Sequence, residues 1–174
     1  VTDKDGKVSK KQLLDADGNP VTAETEFVPD DTYGTVDVTF TFDASDLKAK
    51  DKVVAFESLS LNGKELASHA DIEDKSQTVT ITKPEVGTTA KDGFDGNQTV
   101  VSDTEVSVVD TVKYKNVTPG KTYKVSGTLY EKVTDKDGKV SKKQLLDADG
   151  NPVTAETEFV PDDTYGTVDV TFTF

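Results

Sequence analysis

The stretch from Val36 to Phe42 reads VDVTFTF, and the same seven residues return at positions 168–174. Apolar and polar side chains alternate along this stretch. Because successive side chains of a β-strand point to opposite faces, the period of two predicts a half-buried antiparallel strand. The face that we expect to be buried consists of Val36, Val38, Phe40 and Phe42.

The recurrence extends well beyond this strand. Residues 1–42 return without a single change as residues 133–174, so the 174-residue chain is one period of 132 residues followed by a second copy of its first 42. A period of this length is that of a whole domain, far longer than a solenoid repeat. A recent duplication, a tandem array of near-identical modules and a deliberate construction would all produce it.

Other strand patterns alternate with turn signals. Alternating or β-branched runs lie at residues 35–42, 52–61, 77–82, 104–114 and 121–130. The turn dipeptides are Asp5-Gly6, Asp17-Gly18, Asn62-Gly63 and Pro119-Gly120, with second copies at Asp137-Gly138 and Asp149-Gly150. Short strands between such turns, without a long helical pattern, predict an all-β sandwich in one or two small domains.

The composition excludes several classes of function. Twenty basic residues against 33 acidic ones give a net charge of −13, which provides no basic surface for nucleic acid or an anionic membrane. No window approaches the roughly 20 apolar residues of a membrane span, and no signal-peptide pattern opens the sequence. The chain lacks cysteine and therefore disulfides and thiolate chemistry, and the absence of methionine indicates an excised or processed segment.

Two acidic turns, at residues 3–6 and 15–19, resemble fragments of EF-hand loops. They lack the alternating oxygen ligands and the glutamate at loop position twelve, so the Asp-Gly dipeptides favour hairpin turns instead. Asn97 and Asn116 each begin a glycosylation sequon, a short pattern that often matches by chance. We therefore expect no metal site and no cofactor.

Three further residues could carry chemistry. His69 is the only histidine, which excludes a site with several histidine ligands, and a lone histidine is more often a surface residue than a catalytic one. Glu57 and Asp110 are acidic residues within runs of otherwise apolar, strand-like sequence. Each either points outward by the pleat or is partly buried and needs a partner.

Four motifs together resemble the VaFE-repeat, threonine-glutamine ester-bond domains of Gram-positive cell-surface adhesins. Val54-Ala55-Phe56-Glu57 is similar to the signature that names the repeats, and His69 followed by Gln77-Thr78-Val79 resembles the end of the domain. Thr88-Thr89-Ala90 resembles its first strand, and residues 110–114 its second conserved block. The resemblance covers essentially the whole period and implies an immunoglobulin-like β-sandwich.

The resemblance implies a covalent cross-link in which the Thr88 hydroxyl attacks the Gln77 carboxamide, ammonia leaves and an ester joins the first and last strands. It assigns proton transfer to His69, and polarisation of the amide to the acidic pair Glu57 and Asp110. An amide is a poor electrophile and threonine a weak nucleophile, so the reaction requires a positioned base, an acid and a dry site. Two carboxyls held close together cannot both ionise, which keeps one protonated as the donor.

Two other residues could fill the roles assigned to Thr88 and Gln77. Thr89 is the less favoured nucleophile, because it is one residue along and would point to the opposite face from Thr88. Gln98 begins a second Gln-Thr-Val string, but no histidine stands eight residues before it. We assign Gln98 to an ordinary strand.

The motifs are out of phase with the family domain, where threonine comes near the start and glutamine near the end. We predict that residues 1–83 are the C-terminal part of one ester-bond unit and residues 84–174 the N-terminal part of the next, because Pro84 ends a strand. Parallel first and last strands need a crossover of a dozen or more residues, whereas ten separate Gln77 from Thr88. We expect a unit to form between chains, residues 84–174 of one with residues 43–80 of another.

In that arrangement the partner is another copy of the same chain, and either copy of the 42-residue segment fills the middle. An engineered permutant and an excised piece of a tandem array are both open interpretations. The resemblance implies a structural repeat of an adhesin stalk, extracellular and anchored to the Gram-positive cell wall. The reaction would be autocatalytic with a single turnover, so we do not expect an enzyme.

Two other functions have less support in the sequence. A domain that recognises a host protein or glycan is the main alternative, although 7% aromatic residues and no tryptophan suggest no concave binding site, and no particular host ligand is indicated. A glycosidase with Glu57 and Asp110 as its paired carboxylates would need a substrate cleft, which no part of the sequence indicates.

Overall fold

The computed structural model describes residues 9–174, and the chain divides into two compact units, Val1–Thr82 and Lys83–Phe174. The described residues contain eleven strands and no helix. The first unit holds β1 (Lys52–Val54), β2 (Glu57–Leu61), β3 (Lys64–His69) and β4 (Thr78–Thr80). The second holds β5 (Glu85–Asp92), β6 (Ser107–Lys115), β7 (Tyr123–Thr128), β8 (Tyr130–Thr134), β9 (Val140–Gln144), β10 (Thr154–Phe159) and β11 (Tyr165–Thr173).

The second unit is a sandwich of antiparallel sheets. Its larger sheet has the order β11-β6-β5, and a two-stranded sheet of β10 and β7 packs against it through a shared core. The fully buried members of this core are Val112 on β6, Val153 just before β10, and Val170 and Phe172 on β11. The expected immunoglobulin-like all-β sandwich is confirmed.

The first unit contains two small antiparallel pairs, β1 with β4 and β2 with β3. Asn62 and Gly63 both have positive φ, as a type I′ turn requires, so the predicted Asn-Gly hairpin turn joins β2 to β3. No apolar side chain among residues 9–82 is fully buried. This unit therefore lacks the closed core that the second unit has.

The acidic turn at residues 15–19 folds as the hairpin chemistry predicts. Asp15 Oδ1 accepts the backbone N–H of Asn19 at 2.8 Å and of Asp17 at 3.0 Å, and these hydrogen bonds lower the pKa of the Asp15 carboxyl. Gly18 has a φ of 83°, the left-handed conformation that glycine adopts without strain. The turns at Asp3 and Asp5 lie outside the described residues.

Two strand predictions were wrong. Residues 35–42 form no strand, although their identical counterparts, residues 167–174, lie in β11 as far as Thr173. β11 is paired along its length with β6, whereas no strand in the described part of the chain pairs with residues 35–42. Gln98 also lies outside any strand, because the chain has already turned back at residues 92–97, where Asp92 N–H donates to the Asn97 carbonyl at 2.7 Å.

No helix among residues 9–174 is long and apolar enough to cross a membrane. The assignment of the two units to consecutive ester-bond domains stays a prediction.

We predict that Gly166→Ala destabilises the second unit, by about 1–3 kcal/mol as overpacking typically does. A Cβ at Gly166 would overlap the hydroxyl of Tyr114, whose ring is held 4.8 Å from that of Phe159. The matched control is Gly34→Ala, the same sequence position in the first copy, where no atom lies within 4 Å. Equilibrium unfolding in urea measures both variants, and equal effects at the two glycines would contradict the prediction.

Candidate functional site

Both the nitrogen and the oxygen of the Gln77 carboxamide make hydrogen bonds. Its Nε2 donates to Glu57 Oε2 at 2.9 Å and to the His69 backbone carbonyl at 2.9 Å. Its Oε1 accepts the backbone N–H of Asp71 at 3.3 Å. A half-buried carboxamide held by three hydrogen bonds is fixed in one orientation, with its carbonyl carbon between a carboxylate and a backbone donor.

The strands explain why Glu57 and His69 meet at this amide. Glu57 begins β2 and lies directly opposite His69, the last residue of β3, so the hairpin register places them side by side. Gln77 directly precedes β4, and its carbonyl accepts the N–H of Ala55 at 3.0 Å, which continues the β1–β4 pairing. The two small sheets thus converge on Gln77, and three of the five predicted site residues come together.

The imidazole of His69 contacts a residue that the sequence did not single out. His69 Nε2 lies 3.1 Å from Asp74 Oδ2, and the Asp74 carboxylate also accepts the Ser76 hydroxyl and N–H, both at 2.7 Å. Hydrogen bonds from Ser76, followed by the charge of His69, lower the pKa of Asp74. His69 therefore contacts Gln77 through its backbone, while Asp74 orients its ring.

The other two predicted residues lie in the second unit. Thr88 on β5 pairs with Val112 on β6, and Ala90 pairs with Asp110. Directly paired residues of an antiparallel ladder share a face, so Thr88 and Asp110 lie on the face of the buried Val112, as diagonal neighbours about 7–8 Å apart. Thr89 pairs with Thr111 on the opposite face.

Asp110 carries an unsatisfied atom. Its Oδ1 is buried and has no hydrogen-bond partner among residues 9–174. An unpaired buried acceptor costs about 1–3 kcal/mol, so a donor that reaches this oxygen would stabilise the unit. A threonine hydroxyl or a glutamine amide can supply that donor.

β5 is the edge strand of its sheet. Among the described strands it pairs with β6 alone, and Val86 and Thr88, on the face that it shares with Val112, are exposed. An edge strand presents unpaired backbone groups, which makes it a template for a further strand. β4 is likewise paired on one side only, with β1.

Comparison with protein families gives one match, to the T-Q ester bond containing domain, over residues 4–81 and 84–174. The chain belongs to this family. Neither a curated protein nor a solved structure matches it significantly. The predicted family is confirmed, and the T-Q ester bond containing domain is a structural domain that forms an ester cross-link.

Within this T-Q domain chain, Asp71, Asp74 and Ser76 are the site neighbours that sequence reasoning missed. All three lie in the short loop between His69 and Gln77. The polar composition of this loop, between two residues already assigned to the site, was the sequence signal that could have identified them. The reactive roles of Thr88, Gln77, His69, Glu57 and Asp110 stay predictions.

We predict that Ser76→Ala raises the pKa of Asp74 toward its ordinary value, because the variant removes the hydroxyl that donates to the carboxylate. A lowered carboxyl pKa stabilises the fold above the ordinary pKa, and this stabilisation is lost as pH falls through the folded value. The first unit of the variant should therefore lose less stability on acidification.

Titration of side-chain carboxyl signals by NMR measures this pKa. Ser58→Ala, in the exposed part of β2, is the matched control and should leave the Asp74 titration unchanged. An unchanged pKa in Ser76→Ala, or an equal shift in both variants, would contradict the assignment.

Proposed function

We propose that this chain is a structural repeat of a bacterial adhesin stalk whose Thr88–Gln77 ester forms between two copies of the sequence. Residues 84–174 of one copy would supply Thr88 and Asp110, and residues 43–80 of another would supply Gln77, Glu57 and His69. The observation that carries the proposal is the fixed carboxamide of Gln77, held by Glu57 and the His69 backbone in a family defined by a glutamine ester bond.

The sheet edges favour a bond between copies. β5 and β4 each have one unpaired edge, and β4 of one copy added to β5 of another would bring Gln77 beside the inner face of β5, where Thr88 lies. Parallel neighbours in one sheet need a dozen or more connecting residues, and only ten lie between Gln77 and Thr88. A bond within one copy would therefore be strained.

The reaction balances without a cofactor. The Thr88 Oγ bonds to the Gln77 carbonyl carbon, the carbon–nitrogen bond breaks, and the hydroxyl proton ends on the departing ammonia. We infer that the unpaired Asp110 Oδ1 accepts the hydroxyl proton, and Glu57 Oε2 lies 2.9 Å from the nitrogen that must receive one. A protonated Glu57 would deliver that proton, and transfer of a proton from Asp110 back to Glu57 would restore both carboxyls, so that one net proton passes from the hydroxyl to the ammonia.

Holding the two reacting groups close together would supply much of the rate of ester formation. A nucleophile and an amide held on neighbouring strands have effective concentrations of about 10⁵ M or more, which suits a reaction that occurs once. The chain acts only on itself in this scheme and is not an enzyme with external substrates. The completed sandwich would cover the ester and exclude water from it.

A covalent bond between terminal strands suits an extracellular stalk on a Gram-positive cell wall. Secreted β-domains often rely on disulfides, and this chain has no cysteine. An ester that joins two copies would carry pulling force through a covalent bond and limit local opening to proteases.

We predict that Thr88→Ala and Gln77→Ala chains are each monomeric on denaturing gels, whereas their mixture gives a covalent dimer. Each variant keeps one reactive residue, so a single bond can form and the dimer cannot extend. Its intact mass should be the sum of the two chains less one ammonia. The unmodified sequence should give a ladder.

Thr89→Ala and Gln98→Ala are the matched controls and should cross-link like the unmodified sequence. A monomer that has lost one ammonia would contradict the bond between copies, because the ester would then lie within one chain. A monomer of unmodified mass would contradict the ester altogether.

A further inference from the structure

The duplicated segment has one sequence and two structural states. Residues 133–174 contain β9, β10 and β11, and the last two of these pair with β7 and β6. In the first copy, residues 9–42 contain no strand, only one isolated bridge between Leu14 and Pro20. Because the two sequences are identical, the difference in strand content comes from the neighbouring strands with which each copy can pair.

The described part of the first copy nevertheless keeps several of the internal hydrogen bonds of the second. Thr25 Oγ1 donates to the Asp37 carbonyl at 3.0 Å, as Thr157 does to that of Asp169 at 2.9 Å. The bridge between Leu14 and Pro20 also has its counterpart, between Leu146 and Pro152. Residues 9–42 therefore hold part of the docked arrangement, with less left to order on binding.

The face that β6 and β7 cover in the second copy is less completely covered in the first. Val153, Val170 and Phe172 are fully buried, whereas their counterparts Val21, Val38 and Phe40 are only half-buried.

The aromatic packing shows the same contrast. Phe159 packs on Tyr114 and on Tyr123, with ring centres 4.8 and 6.0 Å away, and its counterpart Phe27 is 48% exposed. Gly34 faces open space where Gly166 meets Tyr114.

We propose that the two copies of this segment compete for one docking surface, formed by β6 and β7, and that chains exchange them. Residues 9–42 of one chain would pair with β6 and β7 of another, displacing that chain's own β10 and β11. The occupant is thus a second copy of this chain, and the seated residues 133–174 show how it binds. The inference deepens the proposed pairing of copies but does not require the ester bond.

The energetics make the exchange nearly neutral. An incoming first copy presents the same side chains as the displaced residues 133–174 and can pair with β6 and β7 in the same way, so only chain connectivity distinguishes the two occupants. The resident copy follows Lys132 directly, and a short tether gives an effective concentration on the order of millimolar. Exchange should therefore rise with protein concentration. An incoming first copy would also bring residues 43–80, with Gln77, to the unit that contains Thr88.

Paired cysteines test the exchange, because the chain has none of its own. Lys113 on β6 lies directly opposite Thr167 on β11, and both side chains are exposed on the outer face. Thr35 is the counterpart of Thr167 in the first copy. All variants carry Gln77→Ala, so that the ester cannot link chains and failure of the ester cannot be mistaken for failure of the exchange.

Under mild oxidation, Lys113→Cys with Thr35→Cys should give disulfide-linked dimers and longer species, faster at higher protein concentration. Lys113→Cys with Thr167→Cys should give a disulfide within the monomer at every concentration, which shows that the position can be bridged. Lys113→Cys with Ser58→Cys, an exposed pair outside the duplicated segment, should lack the dimer band. Reduced monomer in the Thr35 variant, a monomeric disulfide there, or equal dimer in the Ser58 variant would each overturn the proposal.

Discussion

The pairing of β11 with β6 is the interaction on which the rest of the structure depends. It spans nine residue pairs, from Tyr165 with Lys115 to Thr173 with Ser107. It satisfies backbone groups that would otherwise lack partners, and it brings Val170 and Phe172 onto Val112. The same sequence without β6 beside it forms no strand and buries no side chain fully. Strand formation in this protein is therefore a property of pairs of segments.

This constraint bears on how the residues that we propose to react are divided between the two units. The amide half is arranged by the two antiparallel strand pairs that meet at Gln77, whose carboxamide makes three hydrogen bonds. The hydroxyl half lies on an edge strand, beside a buried carboxylate oxygen that has no partner in the described part of the chain. The carboxamide of Gln77 is thus held in place, whereas, among the described residues, the unit that contains Thr88 has an unpaired strand edge and a hydrogen-bond acceptor without a donor. That asymmetry supports our proposal that the two halves come from different copies.

Much of this could be predicted from the sequence. Alternation, Asp-Gly and Asn-Gly turns and the absence of helical periodicity indicate an all-β fold, and four motifs identify the family. The strand over residues 35–42 could not be predicted correctly, because alternation reports a tendency to pair and contains no information on whether a partner is present. The contact of His69 with Asp74 was also missed, since its geometry depends on how an irregular loop folds back. The same applies to Gln98, which a tight turn keeps outside the sheet.

An ester between copies is tested most directly by identifying the linked peptide from an equal mixture of ¹⁵N-labelled and unlabelled protein. Because Pro84 blocks tryptic cleavage after Lys83, the digestion should use a protease that cleaves after glutamate and so separates Gln77 from Thr88 at Glu85. We expect a Thr88–Gln77 linked peptide, lighter by one ammonia, in which one half is labelled and the other is not. Linked peptides that are only fully labelled or fully unlabelled, or the absence of any linked peptide, would contradict a bond between copies.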